Sequence, residues 1–259
     1  MTQALTVFAS LFLLTSGCGK SSDSDDSDDC VDTIVACDGS DTGGSSGLVW
    51  INDERQAYVC APPGTGPFPV AVYNHGGLGD VLGGPPEDTC EALAAAGFIG
   101  VSTLRRQTVP IAGHSDDVDA GIAFALAHLS ADPDRVSVLG FSRGGYLSFL
   151  ALTEHPEVDL AVIMAPAPVN GLLETALEDA DQVMARTLVL VAENDVPEFN
   201  VEDVDHVATA TAVHDALTAA GKESEIQVLP AFEDNGHDLF QELNDEYWPI
   251  VEDFLVSGN

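Results

Sequence analysis

The segment VLGFSRGGY, residues 138–146, places a serine between glycines at the end of an apolar run. Gly140 lies two positions before Ser142 and Gly144 two positions after it, which is the G-x-S-x-G spacing of a nucleophile elbow. In that motif a strand ends at a strained serine and a helix begins directly after it. The small flanking residues relieve crowding around the serine backbone. The segment therefore predicts a strand–turn–helix unit that lifts Ser142 into a pocket.

The rest of the chain alternates short β-rich runs with alanine-rich helical runs. Because short apolar strands separated by helices form βαβ units, this pattern predicts a mostly parallel sheet with helices on both faces. Residues 48–60 are predicted to form a hairpin that makes one edge of the sheet antiparallel. The predicted strands are 48–51, 56–60, 70–73, 99–102, 136–139, 160–164, 188–191 and 225–229, and the predicted helices are 88–96, 117–129, 144–153, 204–220 and 239–256.

A serine hydroxyl is a poor nucleophile without a base, and the chain offers seven histidines. His237, in EDNGHDLF, follows strand 225–229 and so leaves the sheet at the same edge as Ser142. We assign His237 as the base. The remaining histidines are assigned to helix faces, caps, loops or the glycine-rich motif described below: His75, His114, His128, His155, His206 and His214.

The base must be oriented by a carboxylate, and Asp195 at the end of LVLVAEND follows strand 188–191. Glu193 is a rival only two residues past that strand, and Asp238 is a rival next to the histidine. The chain order Ser142, Asp195, His237 is the order expected of an α/β-hydrolase triad.

An acyl-transfer site also needs donors for the oxyanion, and YNHGGLG follows strand 70–73. A glycine pair lets the backbone approach a substrate oxygen closely. We predict an oxyanion hole formed by the N–H of Gly77 and the N–H of Arg143, the residue after the serine. The alternative is that the glycines only turn the chain.

The composition is strongly acidic, with 43 Asp and Glu against eight Lys and Arg and a net charge of −35. Residues 48–259 alone carry 35 acidic and seven basic residues, so the acidity belongs to the folded part as well as to a tail. This balance argues against binding nucleic acid or an anionic membrane surface. It is consistent with a salt-adapted surface or with a general compositional bias.

The N-terminal region predicts export. Residues 1–17 are apolar and uncharged, with a run of signal-peptide length, and LLTSGC resembles the lipobox that precedes a lipidated cysteine, here Cys18. Thr15 replaces the usual leucine and no Lys or Arg precedes the run, so an ordinary secretory signal is the alternative. We predict a signal peptide at 1–17, an acidic Ser/Asp/Gly-rich tether at 18–47 and a catalytic domain at 48–259. The only membrane contact expected is a lipid anchor on Cys18.

Four cysteines remain after Cys18, an even number suited to an oxidising compartment. Three pairings are open, and we favour Cys30 with Cys37 and Cys60 with Cys90. No Cys/His spacing indicates a metal site, so no metal is predicted.

Four motifs in order, PFPVAVYNHGG, DPDRVSVLGFSRGGY, LVLVAEND and NGHDLF, resemble the dienelactone-hydrolase and prolyl-oligopeptidase-like branch of the α/β-hydrolases over about residues 55–256. The resemblance implies an eight-stranded sheet and serine hydrolase chemistry without a metal or organic cofactor. Dienelactone hydrolases carry a cysteine nucleophile where this chain has Ser142, so the resemblance does not establish that the chain acts on their substrate. Arg105 and Arg106 lie near the position where relatives have an arginine after the fourth strand. We expect them to form a structural ion pair, and contact with a substrate carboxylate is the alternative.

Only residues 165–187 separate two predicted strands, which is too short for a bulky lid. An open pocket suits a small, soluble or polymer-linked ester, so the sequence predicts an exported, tethered serine carboxylesterase. The competing interpretations are a small peptidase or amidase with the same triad, and a catalytically inactive surface binding module.

Overall fold

The structure is a computed structural model that describes residues 45–78, 81–200 and 203–258 of the chain. The predicted signal peptide, the predicted lipidation site Cys18 and the predicted Cys30–Cys37 pair lie outside these residues. The first strand begins at Ser45, so residues 45–47, predicted as the end of the tether, belong to the sheet.

The described residues form one eight-stranded sheet in the order β1-β2-β4-β3-β5-β6-β7-β8. β1 pairs antiparallel with β2 and β2 antiparallel with β4, whereas the other neighbours are parallel. The predicted antiparallel hairpin at one edge is confirmed. The strands are β1 Ser45–Trp50, β2 Gln56–Ala61, β3 Phe68–Asn74, β4 Ile99–Leu104, β5 Ala131–Phe141, β6 Leu160–Met164, β7 Arg186–Ala192 and β8 Ser224–Leu229.

Six α-helices connect or flank these strands in the described part of the chain. Successive side chains of a strand point to opposite faces of the sheet, and every residue of β6 is buried. Both faces of the sheet are therefore covered, as expected for a mostly parallel sheet flanked by helices. The helices are α1 Pro86–Ala95, α2 His114–Leu126, α3 Arg143–Glu154, α4 Leu172–Leu177, α5 His206–Ala219 and α6 Trp248–Gly258.

The prediction of one continuous helix at 239–256 is wrong. The chain forms a short 3-10 helix at Gly236–Phe240 and begins α6 only at Trp248. Asn244 interrupts the helix because its amide donates to the Leu239 carbonyl at 2.8 Å and its side-chain oxygen accepts from the Glu246 N–H at 3.0 Å. Such local bonds compete with helical ones.

Cys60 and Cys90 form a disulfide that joins β2 to α1, with an S–S length of 2.06 Å. The predicted pairing of these two cysteines is confirmed. Cys60 lies opposite Gly100, near the amino end of β4. The disulfide therefore lies at the opposite end of the parallel strands from the loop that carries Ser142.

An ion-pair cluster fastens α2 to the antiparallel edge. The Asp117 carboxylate accepts from Arg55 Nε at 2.7 Å and from Arg106 Nη2 at 2.7 Å. Burial alone would raise the pKa of Asp117, but hydrogen bonds from the two arginines hold this pKa below its ordinary value. Among the described residues, no helix is both long and apolar enough to cross a bilayer.

Candidate active site

Ser142 occupies a strained turn between β5 and α3. Its backbone angles are φ 54° and ψ −117°, a region that L-amino acids with a side chain rarely adopt. The Ser142 N–H donates to the Met164 carbonyl at 2.9 Å, and the Ser142 carbonyl accepts from the Ala167 N–H at 3.0 Å. These bonds to the chain after β6 hold the serine in its unusual conformation.

The two glycines of the predicted elbow are required by close approach. A Cβ on Gly140 would overlap the Gly144 carbonyl and the Ser148 hydroxyl, and a Cβ on Gly144 would overlap the Asn74 carbonyl. The turn is therefore packed so tightly against β3 and its own helix that only glycine fits at either flank.

The structure brings Ser142, His237 and Asp195 into one hydrogen-bonded chain. His237 Nε2 lies 3.1 Å from Ser142 Oγ, and His237 Nδ1 lies 2.8 Å from Asp195 Oδ2. Because the carboxylate can only accept, Nδ1 carries the proton and the Nε2 lone pair faces the serine hydroxyl. Asp195 is fully buried, and His237 and Ser142 are 4 % and 7 % exposed.

The rival carboxylates lie elsewhere. Glu193 is exposed and accepts from the Ala231 N–H at 3.2 Å, and the side chain of Asp238 is exposed next to the histidine. Asn200 Nδ2 donates to Asp195 Oδ1 at 3.1 Å, so each oxygen of the Asp195 carboxylate has a partner. This arrangement orients one carboxylate oxygen toward the imidazole.

Two aromatic rings that the sequence did not predict at the site pack on His237. The His206 ring is stacked on it with centroids 4.1 Å apart and 26° between planes, and the Phe141 ring lies 4.8 Å away. His206 is fully buried as the first residue of α5, and its Nδ1 lies 3.3 Å from the Pro166 carbonyl. No local pattern distinguishes this histidine from an ordinary residue at a helix start, so only the folded structure reveals the contact.

Asp195, His206 and His237 place one potential metal ligand atom each within 4.8 Å of one another. However, the two imidazole rings are stacked, so their in-plane lone pairs cannot converge on one ion without ring rotation. His237 Nδ1 is also engaged by the carboxylate at 2.8 Å. The arrangement therefore fits proton transfer better than metal ligation.

The loop after β3 carries the predicted oxyanion donor. Gly77 has φ +80°, and a Cβ there would overlap the Val81 carbonyl, so this position requires glycine. A Cβ on the preceding Gly76 would lie 3.2 Å from the Ser142 Cβ, which places the glycine pair directly beside the serine. Arg143, the second predicted donor residue, is the first residue of α3.

The two arginines after β4 differ in their environment. Arg106 forms the structural ion pair with Asp117 described above. Arg105 is only 6 % exposed and lies against the glycine-rich loop, where its Nη2 is 3.4 Å from the Gly76 carbonyl.

Comparisons with known proteins agree with this architecture. The sequence pattern of the dienelactone hydrolase family matches residues 101–252, more than half of the chain. The chain belongs to the dienelactone hydrolase family. A relative from Methylorubrum extorquens, described as a carboxymethylenebutenolidase, is 26% identical over 219 residues, 74% of this chain and 70% of that protein. Membership in this family makes the chain a hydrolase.

Solved structures show the same fold. A protein described as a dienelactone hydrolase, from Klebsiella pneumoniae, superposes with a TM-score of 0.60 at 18% identity over 82% of this chain and 98% of that chain. Carboxyl esterase 2 from the fungus Tuber melanosporum superposes with a TM-score of 0.63 at 17% identity over 85% of this chain and 89% of that chain. The predicted α/β-hydrolase fold is confirmed.

Proposed function

We propose that this member of the dienelactone hydrolase family is a serine carboxylesterase that works through an acyl-enzyme. The observation that supports it best is the continuous hydrogen-bonded chain from Ser142 Oγ through His237 to Asp195. A buried serine at a strained strand–helix turn, with an oriented imidazole at 3.1 Å, has the geometry of an activated nucleophile.

In this mechanism His237 removes the proton from Ser142 as its oxygen attacks the ester carbonyl. The same histidine then gives the proton to the leaving alcohol, and a water molecule activated by His237 hydrolyses the acyl-serine. Asp195 keeps the proton on Nδ1 and stabilises the imidazolium without taking the proton itself. The packing of the His206 ring against the imidazole supports a single ring orientation through these steps.

The negative charge that develops on the substrate oxygen needs backbone donors. We assign this role to the N–H groups of Gly77 and Arg143. Support comes from the position of the glycine pair beside Ser142 and from the place of Arg143 at the positive end of α3.

A small, soluble or polymer-linked ester is the proposed substrate class. Between β6 and β7 the chain forms only α4 and two single turns of 3-10 helix, at Val169–Gly171 and Ala180–Gln182. Such short elements leave the carboxyl edge of the sheet without a bulky lid from this segment, which suits a substrate that approaches from solution.

The enzyme is proposed to act outside the cytoplasm, tethered through a lipid on Cys18. The sequence of residues 1–18 is the basis for this proposal, and the Cys60–Cys90 disulfide supports it because disulfides persist mainly in oxidising compartments.

The test combines active-site labelling with a substrate panel. A fluorophosphonate probe should label the purified wild-type protein at Ser142, and p-nitrophenyl acetate should be hydrolysed faster than matched anilide and peptide substrates. Labelling with preferred anilide or peptide turnover would indicate an amidase or peptidase instead. Absence of both labelling and turnover would favour the inactive binding module.

A further inference from the structure

The peptide bond between Gly76 and Gly77 is held from its carbonyl side by two side chains. The Gly76 oxygen lies 2.6 Å from His75 Nδ1 and 3.4 Å from Arg105 Nη2. His75, Gly76 and Arg105 are all buried. The carbonyl of the peptide that carries the proposed oxyanion donor is therefore bound by an imidazole and a guanidinium at the same time.

The hydrogen bonds fix the protonation of His75. The backbone N–H of Arg105 lies 3.3 Å from His75 Nε2, so Nε2 is the acceptor and Nδ1 carries the proton that is donated to the Gly76 oxygen. Burial and then the nearby charge of Arg105 lower the pKa of His75 to about 3. The ring is therefore a neutral donor throughout the neutral pH range.

Arg105 places a cation in this buried setting. In the described part of the chain its Nε and Nη1 atoms have no hydrogen-bond partner, and the nearby Asp117 carboxylate is occupied by Arg55 and Arg106. Burial lowers the pKa of Arg105 to about 10, so the guanidinium remains charged at neutral pH. Its hydrogen bond to the Gly76 oxygen is thus charge-assisted.

The opposite side of the same peptide faces away from these donors. The Gly76–Gly77 bond is trans, so the Gly77 N–H points away from the Gly76 carbonyl. Within the described residues the Gly77 N–H donates to no other group, whereas the Gly76 N–H donates to the Gly83 carbonyl at 2.6 Å. A charge near a carbonyl polarises the whole peptide unit and strengthens its N–H as a donor.

We infer that His75 and Arg105 are positioning residues that aim and polarise the Gly77 N–H toward the oxyanion. The inference rests on the proposed esterase function. It assigns to the buried cation a role in stabilising the transition state through the backbone, without contact with the substrate. An alternative role for Arg105 is direct binding of an anionic substrate, and the experiment separates the two.

The experiment compares Arg105→Gln with Arg106→Gln, which removes the neighbouring arginine that pairs with Asp117 instead of with the loop. For a neutral ester, Arg105→Gln should lower kcat about tenfold or more with KM within about twofold, since a weakened oxyanion donor acts on the transition state alone. The inhibition constant of an alkyl trifluoromethyl ketone, whose hemiketal oxygen occupies the oxyanion hole, should rise by a similar factor.

Arg105→Lys should recover part of the loss because it keeps the charge, and Arg106→Gln should leave kcat and the inhibition constant within about twofold of wild type. If Arg105→Gln does not fold, as judged by circular dichroism, His75→Asn provides the second test. It replaces the ring donor with an amide of different reach and should raise the same inhibition constant.

Three outcomes would overturn the inference. The first is an unchanged kcat and inhibition constant in folded Arg105→Gln and His75→Asn. The second is a loss of kcat in Arg106→Gln equal to that in Arg105→Gln. The third is an effect of Arg105→Gln that is limited to a rise in KM for anionic esters. Failure of the proposed function is a separate result. It would appear as ester hydrolysis by the Ser142→Ala variant at the wild-type rate.

Discussion

The backbone of Ser142 makes a sharp prediction about stability. Its angles, φ 54° and ψ −117°, are strained for serine and comfortable for glycine. Ser142→Gly should release about 1–3 kcal/mol of backbone strain in the folded state. The greater conformational entropy of glycine in the unfolded chain should cost about 0.5–1 kcal/mol. The strain relief is the larger effect, so the melting temperature should rise. Ser142→Ala keeps its Cβ and should change the free energy of unfolding by less than about 1 kcal/mol.

Both variants should lose fluorophosphonate labelling and ester turnover, because neither retains the hydroxyl. Differential scanning calorimetry and a labelling gel provide the two measurements. A glycine variant less stable than the alanine variant would show that the angles at position 142 carry no strain, and residual turnover in both would remove Ser142 as the nucleophile.

The carboxylate assignment makes a second residue-scale prediction. Asp195→Asn keeps the shape of the side chain but removes the charge that holds the proton on His237 Nδ1 at 2.8 Å. We expect kcat to fall by about three to four orders of magnitude while KM changes little. Steady-state kinetics on a p-nitrophenyl ester would measure both constants.

Glu193→Gln is the matched control, since Glu193 is exposed and its side chain accepts a hydrogen bond from the Ala231 N–H in the loop after β8. It should retain wild-type kcat. The reverse pattern, a large loss for Glu193→Gln and none for Asp195→Asn, would contradict the proposed triad.

Residue positions at the carboxyl ends of strands could be predicted because topology brings those ends to one edge of the sheet. Ser142, Asp195 and His237 all follow parallel strands, and their chain order is restrictive. The contact of His206 with His237 could not be predicted, because it depends on how α5 packs over the loop that ends β7. Likewise the burial of Arg105 depends on how the loop after β4 meets the loop after β3.

At the scale of elements, the Cys60–Cys90 disulfide is expected to stabilise the fold without serving the chemistry. It closes a loop with a sequence separation of 30. The double variant C60A/C90A should lower the free energy of unfolding by about 3–4 kcal/mol, mainly because the unfolded chain gains freedom. Urea unfolding of the variant and of wild type would measure the difference.

Activity of the double variant at a temperature well below its midpoint should stay within about twofold of wild type, because the bond lies near the amino end of β4. Wild type treated with dithiothreitol is the second comparison. A large loss of kcat in a folded variant would mean that the disulfide also fixes the active-site loops.

The strands were predictable as elements, but most of their ends were not. β6 was predicted with its observed bounds because its five residues are all apolar and turn residues follow. The longer β5 extends to Ala131, where Asp132 and Arg135 make local side-chain bonds that the apolar pattern does not report. The helical pattern at 239–256 predicted one continuous helix across Asn244. The hydrogen bonds between the Asn244 side chain and the backbone divide that segment.

For the whole molecule, positive charge is scarce and unevenly placed. Residues 48–259 hold seven basic side chains against 35 acidic ones. Arg55 and Arg106 hold Asp117, and Arg105 and Arg143 stand beside the proposed oxyanion hole. These four of the seven basic side chains therefore have specific structural or electrostatic roles, and the acidic side chains far outnumber the positive charges available to pair with them.

This imbalance predicts that salt stabilises the protein. Repulsion among the carboxylates favours the expanded chain, and it is screened over about 8 Å at physiological ionic strength and about 3 Å at 1 M. The melting temperature should climb between low salt and molar sodium chloride. Mild acid should at first act in the same direction, because protonation removes negative charges that repel.

Asp117 sets the limit of that acid effect. Its folded pKa is lowered by the two arginines, so its contribution to stability is present above the unfolded pKa and is lost as pH falls through the lower, folded pKa. Stability should thus rise and then fall on acidification. Melting curves in sodium chloride and across acidic buffers would test both trends. A melting temperature that is flat or falling from low to molar salt would show that the acidic surface is not destabilising.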